Sequence, residues 1–231
     1  MPLAVERVTP VTFRHQIANH IRQSILTGSL RPGERIVERD LAAQLGTSLT
    51  AVREAVIQLE GEGLITKRPN ATTFVTRITV ADIANIFDVR RVLESLAFGQ
   101  VARRATAEQI EMIGELHEDT IRSALAGQPL RYIESDLAWH QAVWTASDNE
   151  YLASALRKLV LPLFGFSSIR IASQKAFDLL QDAESHEGLM EAIRAKDPER
   201  ALQACVIAVE FWAAQALADA QALDATIPPR K

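Results

Sequence analysis

Residues 38–64 read ERDLAAQLGTSLTAVREAVIQLEGEGL, and the punctuation of this stretch decides the fold. Leu41, Ala42 and Leu45 give a first short helix one apolar face, and Gly46 stands where a C′ glycine ends such a helix. Ser48 occupies the N-cap position of a second helix, where its hydroxyl can accept from orphan backbone N–H groups. Val52, Ala55, Val56 and Leu59 then recur at helical spacing, while Thr50, Arg53 and Gln58 project elsewhere. A short helix, a glycine turn and a second amphipathic helix are the parts of a helix-turn-helix. An ordinary αα-hairpin inside a bundle has the same periodicity, so the flanking sequence must decide between them. Residues 63–67 and 73–77 are β-prone runs on either side of Arg68-Pro69-Asn70-Ala71-Thr72, which makes a small hairpin, the wing of a winged helix.

The run LxPGERIxExxLAxxLGxSxxxVREAxxxLExEGLI, from Leu30 to Ile65, resembles the N-terminal domain of the GntR family of bacterial transcription factors. The match is long and free of gaps, and a helix from about Thr12 to Gly28 precedes it. The resemblance implies that the second helix enters the DNA major groove. It also implies that Arg39 and Arg53 contact the operator, with Ser48, Leu49, Thr50, Arg68 and Asn70 beside them. Two departures stand out. The family usually has Arg where this chain has Leu49, and a basic residue followed by Gly where it has Ala71 and Thr72.

Composition bounds the rest. With 231 residues, few Gly and Pro and high aliphatic content, the chain predicts one or two mostly helical domains. A single cysteine, Cys205, excludes an intramolecular disulfide framework and fits a reducing compartment. No secretory segment opens the chain and no uncharged apolar run of about 18 residues occurs, so the expectation is a cytoplasmic protein without membrane partners. The net charge of −4 is unevenly spread. Residues 1–78 hold 10 Lys+Arg against 7 Asp+Glu (+3), and residues 79–231 hold 15 against 22 (−7). The basic part is the one with the helix-turn-helix, as DNA binding by a few placed arginines requires.

From residue 79 onward the chain predicts a second domain, 79–231, after a DNA-binding domain at 1–78. Thr79-Val80-Ala81-Asp82 and Thr106-Ala107-Glu108-Gln109 are capping-box patterns, opening helices to about Ala105 and Leu125. A helix from Tyr132 to Ala146 follows, then a long one that Pro162 should kink, another from Phe177 to Ala195, and a last one opened by Asp197-Pro198. About six helices with short connections make an antiparallel all-α bundle. The fold class is therefore mostly α, a winged helix-turn-helix with a small β wing followed by that bundle.

Three polar residues of the bundle sit where apolar ones belong. Asp136 and His140 are four apart, on the face that continues through Val143 and Trp144. His186 lies on the stripe of Leu179, Ala183, Leu189, Met190 and Ile193. Buried polar groups need partners; hydrogen bonds supply these more often than metals do, although imidazole and carboxylate suit a divalent ion such as zinc, nickel or manganese. Val89-Arg90-Arg91-Val92-Leu93-Glu94, Asp136-Leu137-Ala138-Trp139-His140 and His186 through Ile193 with Asp197 resemble the FCD effector domain, which defines the FadR branch of the GntR family. The resemblance implies a metal held by Asp136, His140, His186 and a fourth residue on the last helix. That fourth position falls on Ala208, so the site is short of one ligand. Either a metal with open positions or a hydrogen-bonded effector pocket is consistent with the three that remain. Cys205, one turn from Ala208, is a substitute thiolate in principle and a small core residue more plainly.

Arg90 lies near the apolar edge of its helix, whose inner face takes Ile83, Ile86, Val89 or Arg90, Leu93 and Ala97. Snorkelling over that edge is its simplest reading; a bidentate pair with an effector carboxylate is the functional one. Effectors of FCD regulators are mostly small organic acids, so the resemblance implies an effector site of Arg90, Asp136, His140, His186 and Ala208. The whole then reads as a homodimeric regulator of operator DNA that responds to a small carboxylate. The alternative is a helical metal-dependent enzyme fused to a winged helix, for which no further Asp or Glu is placed by motif as a general base.

Overall fold

The computed structural model describes residues 13–68, 72–173 and 178–226. Helix α1 (Phe13–Leu26) buries Ile17, Ile21 and Ile25 against α3 (Leu49–Gly61), which α2 (Glu38–Gln44) precedes across the Gly46 turn. Gly46 has φ +61° and follows α2 as the sequence requires. Ser48 Oγ accepts from Ala51 N at 3.1 Å, and Val52, Ala55, Val56 and Leu59 are all fully buried. The wing forms from β2 (Ile65–Arg68) and β3 (Thr72–Val75), with Ile65 opposite Val75 and Arg68 opposite Thr72. One strand lies beyond the sequence reading: β1 (Arg35–Ile36) pairs antiparallel with β3, giving the order β1-β3-β2. Two residues are too short a run for an alternation signal, and the pairing depends on the Gly33 turn, whose N–H donates to Val75 O.

Beyond Thr79 the described residues form α4 (Val80–Arg104), α5 (Ala107–Leu125), α6 (Pro129–Ala146), α7 (Glu150–Ser173), α8 (Leu179–Glu184), α9 (Glu187–Arg194) and α10 (Pro198–Thr226). Thr79 and Thr106 form complete capping boxes with Asp82 and Gln109, as their spacing predicts. Where one helix was expected from 177 to 195, the chain breaks at Ser185-His186 into α8 and α9. Ser185 there donates its hydroxyl to Asp182 O and accepts from Trp212 Nε1 at 2.8 Å, local bonding of the kind that competes with a continuous helix.

Pro162 lies inside α7 without ending it. Helix α10 packs along α4 and turns Ala201, Cys205, Ala208 and Trp212 inward. Its segment Pro198–Ala218, with a mean hydropathy of 1.5, is long and apolar enough to cross a membrane by length and composition. Those inward residues, with the buried Val209 and Ala216, seat about a third of it in the bundle, while Leu202 and Ile207 are exposed.

Candidate functional site

The helix-turn-helix presents its candidate DNA contacts to solvent. Arg39, Ser48, Thr50, Arg53 and Arg68 are exposed, and Leu49, the first residue of α3, is half-buried. Arg53 is tied to Glu38 at 3.3 Å with its side chain 62% exposed, so it is held but reachable. Glu38 also accepts from Thr73 Oγ1 at 3.2 Å and so links α2, α3 and the wing. Arg68 stacks over Phe74, its guanidinium carbon 4.5 Å from the ring centre. Asn70 and Ala71 lie outside the described residues.

In the bundle, Asp136 and His140 on α6 meet His186, the residue between α8 and α9. One ligand atom from each lies within 4.8 Å of the other two. His140 Nε2 is 3.8 Å and His186 Nε2 is 3.4 Å from the same Asp136 Oδ1. The opposite ring nitrogens face acceptors: His186 Nδ1 is 3.0 Å from Ala183 O, and His140 Nδ1 is 3.5 Å from Glu94 Oε1. The first distance is a hydrogen bond and the second a longer electrostatic contact. Both arrangements favour an Nδ1–H tautomer, leaving Nε2 lone pairs aimed at a carboxylate oxygen. Asp136 Oδ1, His186 Nε2 and His140 Nδ1 are buried and have no hydrogen-bond partner among the described residues.

Burial holds both imidazoles in the neutral form, His140 below its ordinary range and His186 well below it. Burial, reinforced by the charge of Asp182, pushes the Asp136 carboxyl well above the ordinary carboxylate range. Two lone pairs facing a buried carboxyl, whose proton a divalent cation would displace, form a donor set that such a cation satisfies, with a backbone carbonyl and a second carboxylate behind the rings. The residues present therefore fit a metal.

A small cavity of about 60 Å³ adjoins these groups, walled by Arg90, Tyr132, Phe164 and Trp212 as well as the three candidate ligands. The helical wheel left Arg90 most simply at the surface; the structure corrects this. Arg90 is 5% exposed, while Val89, the other candidate for the inward position, is 47% exposed. Its Nε donates to Glu94 Oε2 at 2.7 Å and its guanidinium carbon lies 4.6 Å from the Trp212 ring centre. A buried partner four residues on, which periodicity alone cannot reveal, is what holds a guanidinium inside.

Ala208 is buried but absent from the cavity wall; Trp212, one turn further along α10, takes that side. Its indole packs against His140 and His186 with ring centres 5.3 and 5.0 Å apart. Burial pushes the Cys205 thiol far up, so it stays protonated as a small core residue. Sequence reasoning missed three participants. Glu94 appeared only within a motif, because its four-residue spacing from Arg90 is equally that of an exposed ion pair. His117 is buried on α5 with its ring 6.1 Å from His186, and Tyr132 donates to Asp182 at 2.6 Å on the cavity wall.

Residues 13–75 match the family described as "Bacterial regulatory proteins, gntR family", and residues 85–210 match the FCD domain. The chain is 30% identical over 203 residues, 87% of each chain, to the "Probable D-xylose utilization operon transcriptional repressor" of Paenarthrobacter nicotinovorans. It is 24% identical over 82% of its length, and 86% of the relative's, to the HTH-type transcriptional regulator McbR of Escherichia coli K12. The solved structure of E. coli McbR/YncC shares the fold, with a TM-score of 0.77 at 22% identity over 88% of this chain and 96% of that one. A GntR structure from Rhodococcus sp. RHA1 shares it too, at 0.69 and 21% identity over 89% and 97%. With its winged head matched by one family and its helical bundle by the other, the chain belongs to the gntR family of bacterial regulatory proteins, in the branch that carries an FCD domain.

Proposed function

We propose that this protein is a homodimeric, cytoplasmic transcriptional regulator whose bundle senses a small carboxylate metabolite beside a divalent metal. Residues 1–78 serve as the operator-binding domain and residues 79–231 as the sensing and dimerising one. Two winged heads related by a two-fold axis suit a pseudo-palindromic operator. The reading of a regulator and not an enzyme draws support from the named relatives, which are transcriptional regulators.

One observation carries the effector reading: Asp136, His140, His186 and Arg90 share the lining of one small cavity. Asp136 Oδ1 and the two Nε2 atoms would hold zinc, nickel or manganese, which when bound would offer open coordination positions to an effector oxygen. Arg90 supplies the charge complement for a carboxylate. A space of about 60 Å³ admits a ligand of only a few non-hydrogen atoms in this conformation. Occupation of the cavity shifts the balance between arrangements of the heads, an energetic coupling between two distinct sites.

Elemental analysis of protein purified without chelator and calorimetric titration with zinc, manganese and nickel test the metal. We expect one ion per chain, lost in His186→Ala together with the metal-induced rise in melting temperature. A mobility-shift titration with and without small organic acids tests the sensing. Acid-responsive DNA binding without any metal would leave a hydrogen-bonded effector pocket, and loss of both responses would overturn the proposal.

A further inference from the structure

One layer behind the cavity, on α4, lies a carboxylate that does not line it. Glu94 is completely buried. Its Oε2 accepts from Arg90 Nε at 2.7 Å, while its Oε1 accepts from Trp144 Nε1 at 3.2 Å and faces His140 Nδ1 at 3.5 Å. Three nitrogen groups from α4 and α6 thus converge on one side chain and use both its oxygens. An ionised carboxylate is acceptor-only and suits all three. A glutamine would have to turn an N–H₂ donor toward either Arg90 or the Trp144–His140 pair. The Arg90 guanidinium, itself buried and 2.7 Å away, supplies the countercharge that a buried ionised carboxylate requires.

His140 lies between two carboxylates, Glu94 on its Nδ1 side and Asp136 on its Nε2 side at 3.8 Å. If the ring proton sat on Nε2, the ring would donate to Asp136 and present no lone pair there. Glu94 favours the proton on Nδ1, as Ala183 O does for His186 at 3.0 Å. Given the metal-and-effector reading of the cavity, we propose that Glu94 is its positioning residue, fixing Arg90 on the wall and selecting the His140 tautomer whose Nε2 lone pair faces Asp136 and His186. Its role is exerted through His140 and Arg90 and not by contact with a ligand.

The test uses the full chain, labelled with nitrogen-15 and stripped with chelator. Long-range proton–nitrogen spectra of the histidine rings report which nitrogen carries the proton. The expected wild-type result is His140 protonated at Nδ1 and bare at Nε2. Glu94→Gln should shift His140 toward the Nε2–H form and weaken zinc binding about 10–100-fold, the usual effect of removing a histidine's outer partner. Glu94→Asp, still acceptor-only, should keep the Nδ1–H form. A lowered melting temperature in Glu94→Gln with tautomer and zinc affinity unchanged would mean a purely structural role and would overturn the proposal. If Glu94→Gln does not fold, the wild-type spectrum still decides, since an Nε2–H His140 overturns it outright. Failure of the wild type to bind zinc would instead sink the metal reading, while the tautomer measurement would stand on its own.

Discussion

Three neutral histidines buried in one bundle give this protein a defined response to acid. His117, His140 and His186 all have lowered folded-state values, each chiefly because burial penalises the imidazolium. As pH falls below about 6.5, the unfolded chain takes up protons at these sites and the folded chain does not, so stability falls with pH. Asp136 acts in the opposite sense: its raised folded value means that the folded chain keeps a proton that the unfolded chain releases. Three protons taken up by the unfolded state less one held by the folded state leave two, a slope of at most about 2.7 kcal/mol per pH unit. Glu94 extends the loss further down, since its stabilisation is present above the ordinary value of 4.5 and disappears as pH falls through about 2. Urea unfolding of chelator-treated protein between pH 6.5 and 5 should therefore show a steadily falling midpoint; a flat midpoint would mean that the three rings are not held neutral. At this scale the sequence was informative about Asp136, His140 and His186, because each interrupts an apolar helical stripe. Arg90 and Glu94 were harder to read, because a buried ion pair looks like two surface charges until the neighbouring helix is in place. Ala208, placed by the resemblance, is buried on α10 but does not line the cavity, where Trp212 stands instead.

Gly63 shows how an element boundary serves the whole chain. It follows α3 at φ +78°, where a side chain is strained, and a Cβ there would lie 2.6 Å from Lys158 O on α7. Pro162, four residues after Lys158, has no N–H to give that carbonyl, which therefore lacks its usual helical donor at the place where the glycine approaches. Leu163 and Phe164, next along α7, line the cavity. The segment thus touches the head with one face and lines the cavity with another. Gly46 is the natural control, with φ +61° and nothing within 4 Å of its Cβ position. We expect Gly46→Ala to cost about 1–3 kcal/mol from backbone strain alone, and Gly63→Ala to cost more in chemical denaturation because the Lys158 backbone must also retreat. Equal losses would mean that the contact with α7 has no energetic weight. The helix ends were legible because Ser48, Thr79 and Thr106 announce themselves by type and spacing. The break at Ser185-His186 was not, since it depends on Trp212 reaching across from α10. Strand β1 was hidden for a similar reason: only its partner β3 makes two residues a strand.

Across the whole molecule, charge and symmetry decide how the heads grip DNA. The head's excess is small, +3 over residues 1–78 (10 Lys+Arg less 7 Asp+Glu), so affinity must rest on a few placed side chains, used twice in the dimer proposed above. Arg53 illustrates the arithmetic. Free, it pairs with Glu38, and on binding it exchanges or shares that partner. If it meets a phosphate in each of two heads, Arg53→Ala should make the salt dependence shallower by about 1.8 in log–log slope, twice the roughly 0.9 per contact; one head alone would give half that. If it reads a base edge instead, specific affinity should fall by about 1–3 kcal/mol per head with the slope little changed. Leu49 tests the same count from the other side. It opens α3 half-buried, at the place where the resemblance implies an arginine. Leu49→Arg should add one phosphate contact per head and steepen the slope by about 1.8, or add a guanine contact and raise affinity for the specific site alone. Mobility-shift titrations at several salt concentrations, run beside sedimentation of the free protein, read contact type and stoichiometry together. Unchanged slope and affinity in both variants would remove α3 from the DNA interface, and slope changes near 0.9 with a monomeric protein would remove the dimer.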